Sequence, residues 1–406
     1  MKKLLRVALF FETSAINDRK LMRGIAKYSR LQGPWLFYNK RHPFYMTQGH
    51  SIWQQKVFPE LKAWGPDGII AHVNLRKAKE LLSLRVPTIL SALVEPEHLG
   101  SNYFADNNEA IAVMAAEYLL GLGFKNFAYC GYHHQFWSNE RRESFVSKIA
   151  QAGFKTNVYT QPNLRSRGFM QEDQSFLSHW VKSLPKPVAV MTCNDARAEQ
   201  VIDACKLANL SVPEEVAILG VDNDDLNCDI MTPPLSSVAL GTEKAGYETA
   251  KLLHRMMMRK KVKSSRISIL PTHVETRQST DILAIEDPEL AKAINFIRTH
   301  QCQREITVDD VVNVTTLGRR TLEQRFRKAL NHSIYEEIRR SCVERVARML
   351  LETTMPVFQI AISLGFSSSE HIARPFRQEK GMSPKEYRIK YAYWTPPSKK
   401  TTADEI

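Results

Sequence analysis

The chain has 406 residues, enough for two or three domains each with its own core. Hydrophobic residues make up 43% and charged ones 24%, ordinary proportions for a globular protein, and no window approaches about 18 consecutive apolar residues, which argues against a membrane-spanning helix. The net charge is +13, and residues 318–390 alone carry 15 Lys/Arg against 8 Asp/Glu, a local excess that favours a polyanionic partner.

The start, MKKLLRVALFFETSA, has the outline of a signal peptide, but Arg6 interrupts it and leaves only Val7 to Phe11 apolar. It reads as a buried first strand. Six cysteines (Cys130, Cys193, Cys205, Cys228, Cys302, Cys342) show no CxxC pair and no zinc-finger spacing. Reduced, mostly buried thiols in a cytoplasmic protein are expected.

From residue 6 to about 276, short apolar runs alternate with amphipathic segments. Strands are predicted at Val7–Phe11, Trp35–Tyr38, Gly68–His72, Thr88–Ala92, Phe127–Gly131, Val188–Thr192 and Val216–Val221. Helices are predicted at 18–31, 52–63, 75–83, 107–122, 139–152, 173–183 and 195–209. Continuous apolar strands between helices indicate parallel βαβ units, and a second series starting near Asp106 indicates two similar lobes. From Asp287-Pro288 to Tyr391 only helices and short turns follow. The predicted organisation is a two-lobed α/β domain of parallel sheets flanked by helices (1–280), a linker (281–287), an all-α domain (288–392) and a frayed tail (393–406).

Two segments of the all-α domain share a layout. Thr307–Val312 precedes Leu317–Phe326, and Val357–Ala361 precedes GFSSSEHIARPFR. Each is a short helix, a tight turn and a second helix with core residues at i and i+4: Leu322/Phe326 and Ile372/Phe376. The residues facing outward, and so the candidate DNA contacts, are Arg319, Arg320, Glu323 and Gln324 in the first, and Ser368, Ser369, His371 and Arg374 in the second. A long helix, roughly Ser333 to Leu351, lies between them and can set two recognition helices about one DNA turn apart. A helical bundle whose basic faces merely aid solubility is the plainer reading, but two such units in register favour DNA.

GFSSSEHIARPFRQEKGMSPKEYR resembles the signature of the AraC-type transcription regulators, through Gly365, Phe366, Arg374, Phe376, Gly381, Ser383, Pro384, Tyr387 and Arg388. The first unit is similar through Arg319, Leu322, Arg325 and Phe326. Two departures stand out. Gly318 replaces the hydroxyl cap usual in that family, which glycine can also supply. Pro375 falls inside the second recognition helix, where it cannot donate to the His371 carbonyl at a cost of about 3 kcal/mol. A kink there is expected, affecting base contact by Arg374 more than by Ser369 or His371.

The α/β part resembles the sugar-binding domain of LacI/GalR-type repressors and periplasmic binding proteins. The residues carrying this are Asn17-Asp18-Arg19, Trp137–Arg142, Cys193–Arg197, Gly220–Asp224 and Pro233–Val238. The joint arrangement resembles the xylose operon regulators of bacteria. That resemblance implies D-xylose as effector, activation of sugar catabolic genes, a homodimer on paired half-sites and RNA polymerase as a further partner.

The residue chemistry agrees with a sugar site, which needs paired donors and acceptors plus an aromatic face. Asp222 and Asn194-Asp195 follow strands, at the carboxyl ends where clefts lie. Arg141 supplies a fork of donors, Phe136 or Trp137 a ring face, and Asp18 a further carboxylate. Against this, Asp195 and Asp222 can instead cap helices, Trp137 can be core, and Asp106-Asn107 suits a cap better than a ligand. Tyr132-His133-His134 lacks a carboxylate or cysteine partner for a metal and reads as loop. No GxGxxG, P-loop or GxSxG motif is present, so neither cofactor nor catalytic residue is assigned. A regulator responding to a different pentose or hexose, a sugar-acting enzyme tethered to DNA and a ligand-free architectural DNA-binding protein are the competing readings.

Overall fold

The computed structural model describes residues 4–39, 53–91, 102–160, 169–260, 262, 264–282, 287–300, 306–330 and 332–391. Cys302, Ala92, residues 283–286 of the linker and the tail beyond Tyr391 lie outside them. Val7 to Phe10 are all buried, as expected of a central strand covered on both faces. They lie within β1 (Leu5–Phe10), flanked by β2 (Trp35–Asn39) and β3 (Gly68–Ala71). With β4 (Thr88–Ser91), β5 (Asn102–Asp106) and β11 (Ser265–Ile269) these form one six-stranded parallel sheet in the order β11-β5-β4-β3-β1-β2. The second sheet has the order β12-β10-β9-β8-β6-β7. Its strands are β6 (Asn126–Cys130), β7 (Thr156–Val158), β8 (Val188–Thr192), β9 (Val216–Asp222), β10 (Ser236–Leu240) and an antiparallel edge, β12 (Pro271–Glu275).

The chain passes between the lobes three times. It leaves β5 through α4 (Asn108–Gly121), returns from β10 through α9 (Thr242–Met257), and crosses from β11 to β12 with only Leu270 between. The remaining α/β helices are α1 (Ile16–Gln32), α2 (Phe58–Trp64), α3 (Leu75–Ser83), α5 (Phe136–Gln151), α6 (Phe169–Ser183), α7 (Asp195–Leu207) and α8 (Asp225–Ile230). Helices α1 and α9 meet backbone to backbone. A Cβ on Gly24 would sit 1.9 Å from the Glu243 carbonyl, and one on Gly246 would sit 2.1 Å from that of Leu21. Only glycine permits that approach.

The helical part comprises α10 (Pro288–His300), α11 (Val308–Asn313), α12 (Arg319–Leu330), α13 (Ile334–Glu352), α14 (Val357–Ser363), α15 (Glu370–Lys380) and α16 (Pro384–Tyr391). Thr307 with Asp310 and Ser333 with Glu336 form capping boxes that start α11 and α13. There are two small cores. Leu290, Ile294, Val311, Leu322, Phe326 and Ile334 make the first. Val346, Leu350, Ile360, Ile372, Phe376 and Tyr387 make the second. The 19-residue α13, about 28 Å long at 1.5 Å per residue, enters both.

The structure corrects several expectations. Strands β5, β7, β10, β11 and β12 and helices α8 and α9 carry no assignment in the sequence reading. The segment 52–63 begins as a π-helical turn, Trp53–Val57, before α2. Helix α15 continues through Pro375 from Glu370 to Lys380. The missing N–H frees only the carbonyl of His371, an exposed residue that water can satisfy. Of the cysteines, Cys130, Cys193, Cys205 and Cys228 are free and buried, and Cys342 is half-buried.

Candidate ligand cleft and nucleic-acid interface

The carboxyl ends of β1, β3 and β5 face those of β6, β8 and β9, and polar side chains gather where they meet. Asp222 ends β9 with φ +111°, followed by Asn223 at +49°, a left-handed pair that turns the chain away from the strand. From the other lobe, Asn17 Nδ2 donates to Asp222 Oδ1 at 2.9 Å. Lys20 Nζ donates to the carbonyls of Asp222 (3.3 Å) and Asn223 (3.0 Å), and Arg19 lies 3.7 Å from Asp224. The first turn of α1 therefore touches the β9–α8 loop across the lobes.

Arg141 is 1% exposed. Its Nη1 donates to the Cys193 carbonyl, its Nη2 to Asn108 Oδ1 (2.9 Å) and Asp106 Oδ2 (3.2 Å), and its Nε to Asn108 Oδ1 (3.3 Å). One Nη1 hydrogen is left over from these bonds. The guanidinium lies 5.5 Å from the Trp137 ring, which itself packs against the main core. Phe136 opens α5 half-buried.

Asn194, not Asp195, caps α7, its Oδ1 accepting from the Arg197 N–H at 2.9 Å. Asp195 sits at the first helical position as an internal brace, accepting from Ser237 Oγ (2.5 Å), the Asp224 N–H (2.9 Å) and Cys228 Sγ (3.4 Å). Asp222 caps nothing, since Asp224 holds the position before α8. Asn107 caps α4, while Asp106 pairs with Arg141. Asp18 accepts from the Glu12 N–H at 2.5 Å and lies 2.6 Å from His72 Nδ1. Burial opposes charge on His72, yet Asp18 outweighs it and holds the imidazole pKa above its usual value. His133 and His134 are exposed in the β6–α5 turn.

Burial raises the pKa of both Asp195 and Asp222 well above the ordinary aspartate value. Ser237 and neighbouring donors work against this at Asp195, while Asp195 itself adds to it at Asp222. Burial also lowers the pKa of Lys20. Charged groups whose solvation is lost and only partly replaced by protein partners are what a polar ligand stabilises best. Lys20 and Asn108 join this constellation without having been singled out from sequence, whereas Asn17 was noted there only within a motif and Asp106 only as a helix cap. Asn17 and Lys20, one helical turn apart on α1, are the detectable signal.

In the helical domain Leu322, Phe326, Ile372 and Phe376 are all at most 1% exposed, so the faces opposite them point outward. Arg319, Arg320 and Gln324 are exposed on α12, with Glu323 half-buried. His371 and Arg374 are exposed on α15, with Ser368 and Ser369 half-buried just before it. Arg319 pairs with Asp309 at 3.1 Å, whereas Arg320, Gln324 and Arg374 make no hydrogen bond or ion pair among the described residues. Arg327, beside Arg320 in the same shallow depression, extends the basic face and was missed from sequence.

A two-lobed sensing domain in series with a paired helix-turn-helix module defines a DNA-binding transcription regulator. Residues 116–280 match the periplasmic binding protein-like domain, and residues 311–390 match a helix-turn-helix domain. The xylose operon regulatory protein of Haemophilus influenzae is 31% identical over 392 residues, 95% of this chain and 98% of that one. Its counterpart in Escherichia coli K12 is 28% identical, over 94% and 96% of the two chains. The solved structure of a xylose-binding transcription activator, xylR, superposes with a TM-score of 0.60 at 27% identity, covering 96% of this chain and 99% of that one. The chain belongs to the family of xylose operon regulatory proteins.

Proposed function

We propose that this chain is a sugar-responsive transcription activator whose effector is D-xylose, working as a cytoplasmic homodimer on paired half-sites and acting on RNA polymerase. Support comes from relatives named for the xylose operon and from a solved relative described as xylose-binding. The observation that carries the reading is the bridge from Asn17 and Lys20 to Asp222 and Asn223, which exists only while the lobes meet. A ligand that adds contacts to that closed form shifts the population toward it.

In this reading Asp222 and the spare Arg141 hydrogen take vicinal hydroxyls, and Phe136 or Trp137 takes the C–H face of the ring. Asn194, Asp195 and Asp18 hold the walls in place. On DNA, Arg320, Gln324 and Arg374 reach base edges, while Arg319 and Arg327 position the module on phosphates.

Calorimetry and thermal melting with D-xylose, L-arabinose, D-ribose, D-glucose and D-galactose test the sensor. D-xylose is expected to bind one per chain and, at about 100 times its Kd, to stabilise the fold by about 2.7 kcal/mol. It is also expected to change the affinity for operator DNA without being consumed. Failure of every sugar to bind would sink the sensor reading, and turnover of the bound sugar would replace it with an enzyme.

A further inference from the structure

The helical module is fastened to the sensor by its second half. Tyr387 OH donates to the Thr272 carbonyl on β12 at 3.1 Å, and the ring is 5% exposed. Lys244, on the first turn of α9, donates to the carbonyls of Ile389 and Lys390 at the end of α16. A cation there complements the unpaired carbonyls of a helix C-terminus. Arg348 on α13 donates to the Val274 carbonyl at 3.4 Å and lies 3.8 Å from Glu275. Arg388 then ties α16 to the end of α13 through the Leu350 carbonyl at 3.0 Å. By contrast, α12 makes no hydrogen bond or ion pair to either lobe among the described residues.

Both anchoring elements on the sensor are lobe crossings. α9 leads from the second lobe back to the first, and β12 follows β11 after one residue. The Gly241 N–H donates to the Leu270 carbonyl at 2.8 Å, so the two crossings are bonded to each other. Thr242, two residues before Lys244, donates to Asn17 Oδ1 at 3.1 Å, and Asn17 in turn donates to Asp222. On the other side, Tyr387 meets Phe376 edge-on, with ring centroids 5.2 Å apart. Phe376 is, with Ile372, a buried core residue of α15. A continuous run of contacts thus leads from the cleft into the core of one recognition helix, whereas α12 meets the sensor indirectly, through α13, which enters both cores.

We propose that Tyr387 and Lys244 form a latch that delivers the state of the sugar cleft to the second helix-turn-helix unit, leaving the first as a constant anchor on DNA. This rests on the sugar-sensing reading above. The latch shows itself in the linkage between the two ligands.

The test uses the full chain with Tyr387→Phe and, separately, Lys244→Met, the second being a half-buried site whose loss leaves the cores intact. D-xylose affinity is measured by calorimetry and operator affinity by fluorescence anisotropy with and without saturating D-xylose. The latch predicts sugar affinity within about twofold of the unaltered chain and a sugar-driven change in operator affinity reduced at least about fivefold, the lower end of typical coupling. Lys244→Arg should restore it, and Arg320→Ala should weaken operator binding with the sugar-driven ratio unchanged. Retention of the full ratio in both latch variants would overturn the proposal. If the unaltered chain shows no sugar response, the sensor reading fails instead. The latch is then judged by amide exchange, which must quicken over 370–380 and not over 319–330 in both variants, and equal exchange would overturn it.

Discussion

Gly318 and Gly365 stand in the turns before the two recognition helices, yet they are not equivalent. Gly365 adopts φ +83°, whereas a Cβ at Gly318 would meet nothing within 4 Å. The first unit, in α12, makes no hydrogen bond or ion pair to either lobe among the described residues. The second is bonded to β12 and α9 and tolerates a proline in the middle of its helix. A duplicated motif has diverged in its attachments while keeping the same inward pair of side chains. Shared architecture therefore does not make the two halves equal reporters of ligand.

The strongest way to break that comparison is to remove the two equivalent core rings. Phe326→Ala and Phe376→Ala should each cost about 3–5 kcal/mol, read from denaturant unfolding. Only the second should also blunt the sugar response of whatever protein remains folded, and matching losses of response would make the units equivalent. Next in size, Arg320→Ala and Arg374→Ala should each cost about 1–3 kcal/mol on operator DNA and relax selection at one base pair. A uniform loss on all sequences would reassign that arginine to phosphate. Gly365→Ala should lose about 1–2 kcal/mol because alanine resists the left-handed region, while Gly318→Ala should lose under about 1 kcal/mol. Equal melting temperatures would erase the distinction between the turns.

The smallest effect concerns pH and sharpens the contrast between the sensor and the DNA-binding half. Asp195 and Asp222 hold protons in the folded state more tightly than in the unfolded chain. Their contribution is present in full below about pH 4 and is lost as the pH climbs toward neutrality and through their raised folded values. The groups around them are Lys20, Arg141, Asp106 and Asp224, with Asn17 donating to Asp222. Donors on a bound sugar favour the ionised carboxylate. The D-xylose-induced rise in Tm should therefore be larger at pH 8 than at pH 5.5, by about 2–4 °C per kcal/mol of difference. Asp222→Asn should flatten that dependence, and a flat profile in the unaltered chain would remove Asp222 from the ligand's reach.

The central strands were legible because burial on both faces leaves an unbroken apolar run, and Val188–Thr192 matches residue for residue. The edge and crossing strands were not. Ser265–Ile269 alternates exposed and half-buried positions at a sheet edge, and β10 carries Ser236 and Ser237 fully buried. Those serines are satisfied by partners around 40 residues away, Ser279 and Asp195 among them, which local composition does not reveal. Gly246 in α9 serves close approach to α1, a role that only the packed structure reveals. In the cleft, Asp222 stood out because of the strand before it, and Arg141 because of its fork of donors. The pairing of Asn17 with Asp222 did not, because the two are 205 residues apart. The anchoring of Tyr387 on Thr272, across 115 residues, is of the same kind.

The bare-backbone crossing of α1 and α9 at Gly24 and Gly246 has a mechanical implication. At the glycines no side chain separates the two backbones, and farther along Tyr28 packs on Tyr247 and His254, so the pair is built to move as one stiff unit. Asn17 in the cleft and Lys244 beneath the helical module both lie beside that crossing, linked through Thr242. A single methyl group inserted there would loosen both attachments together.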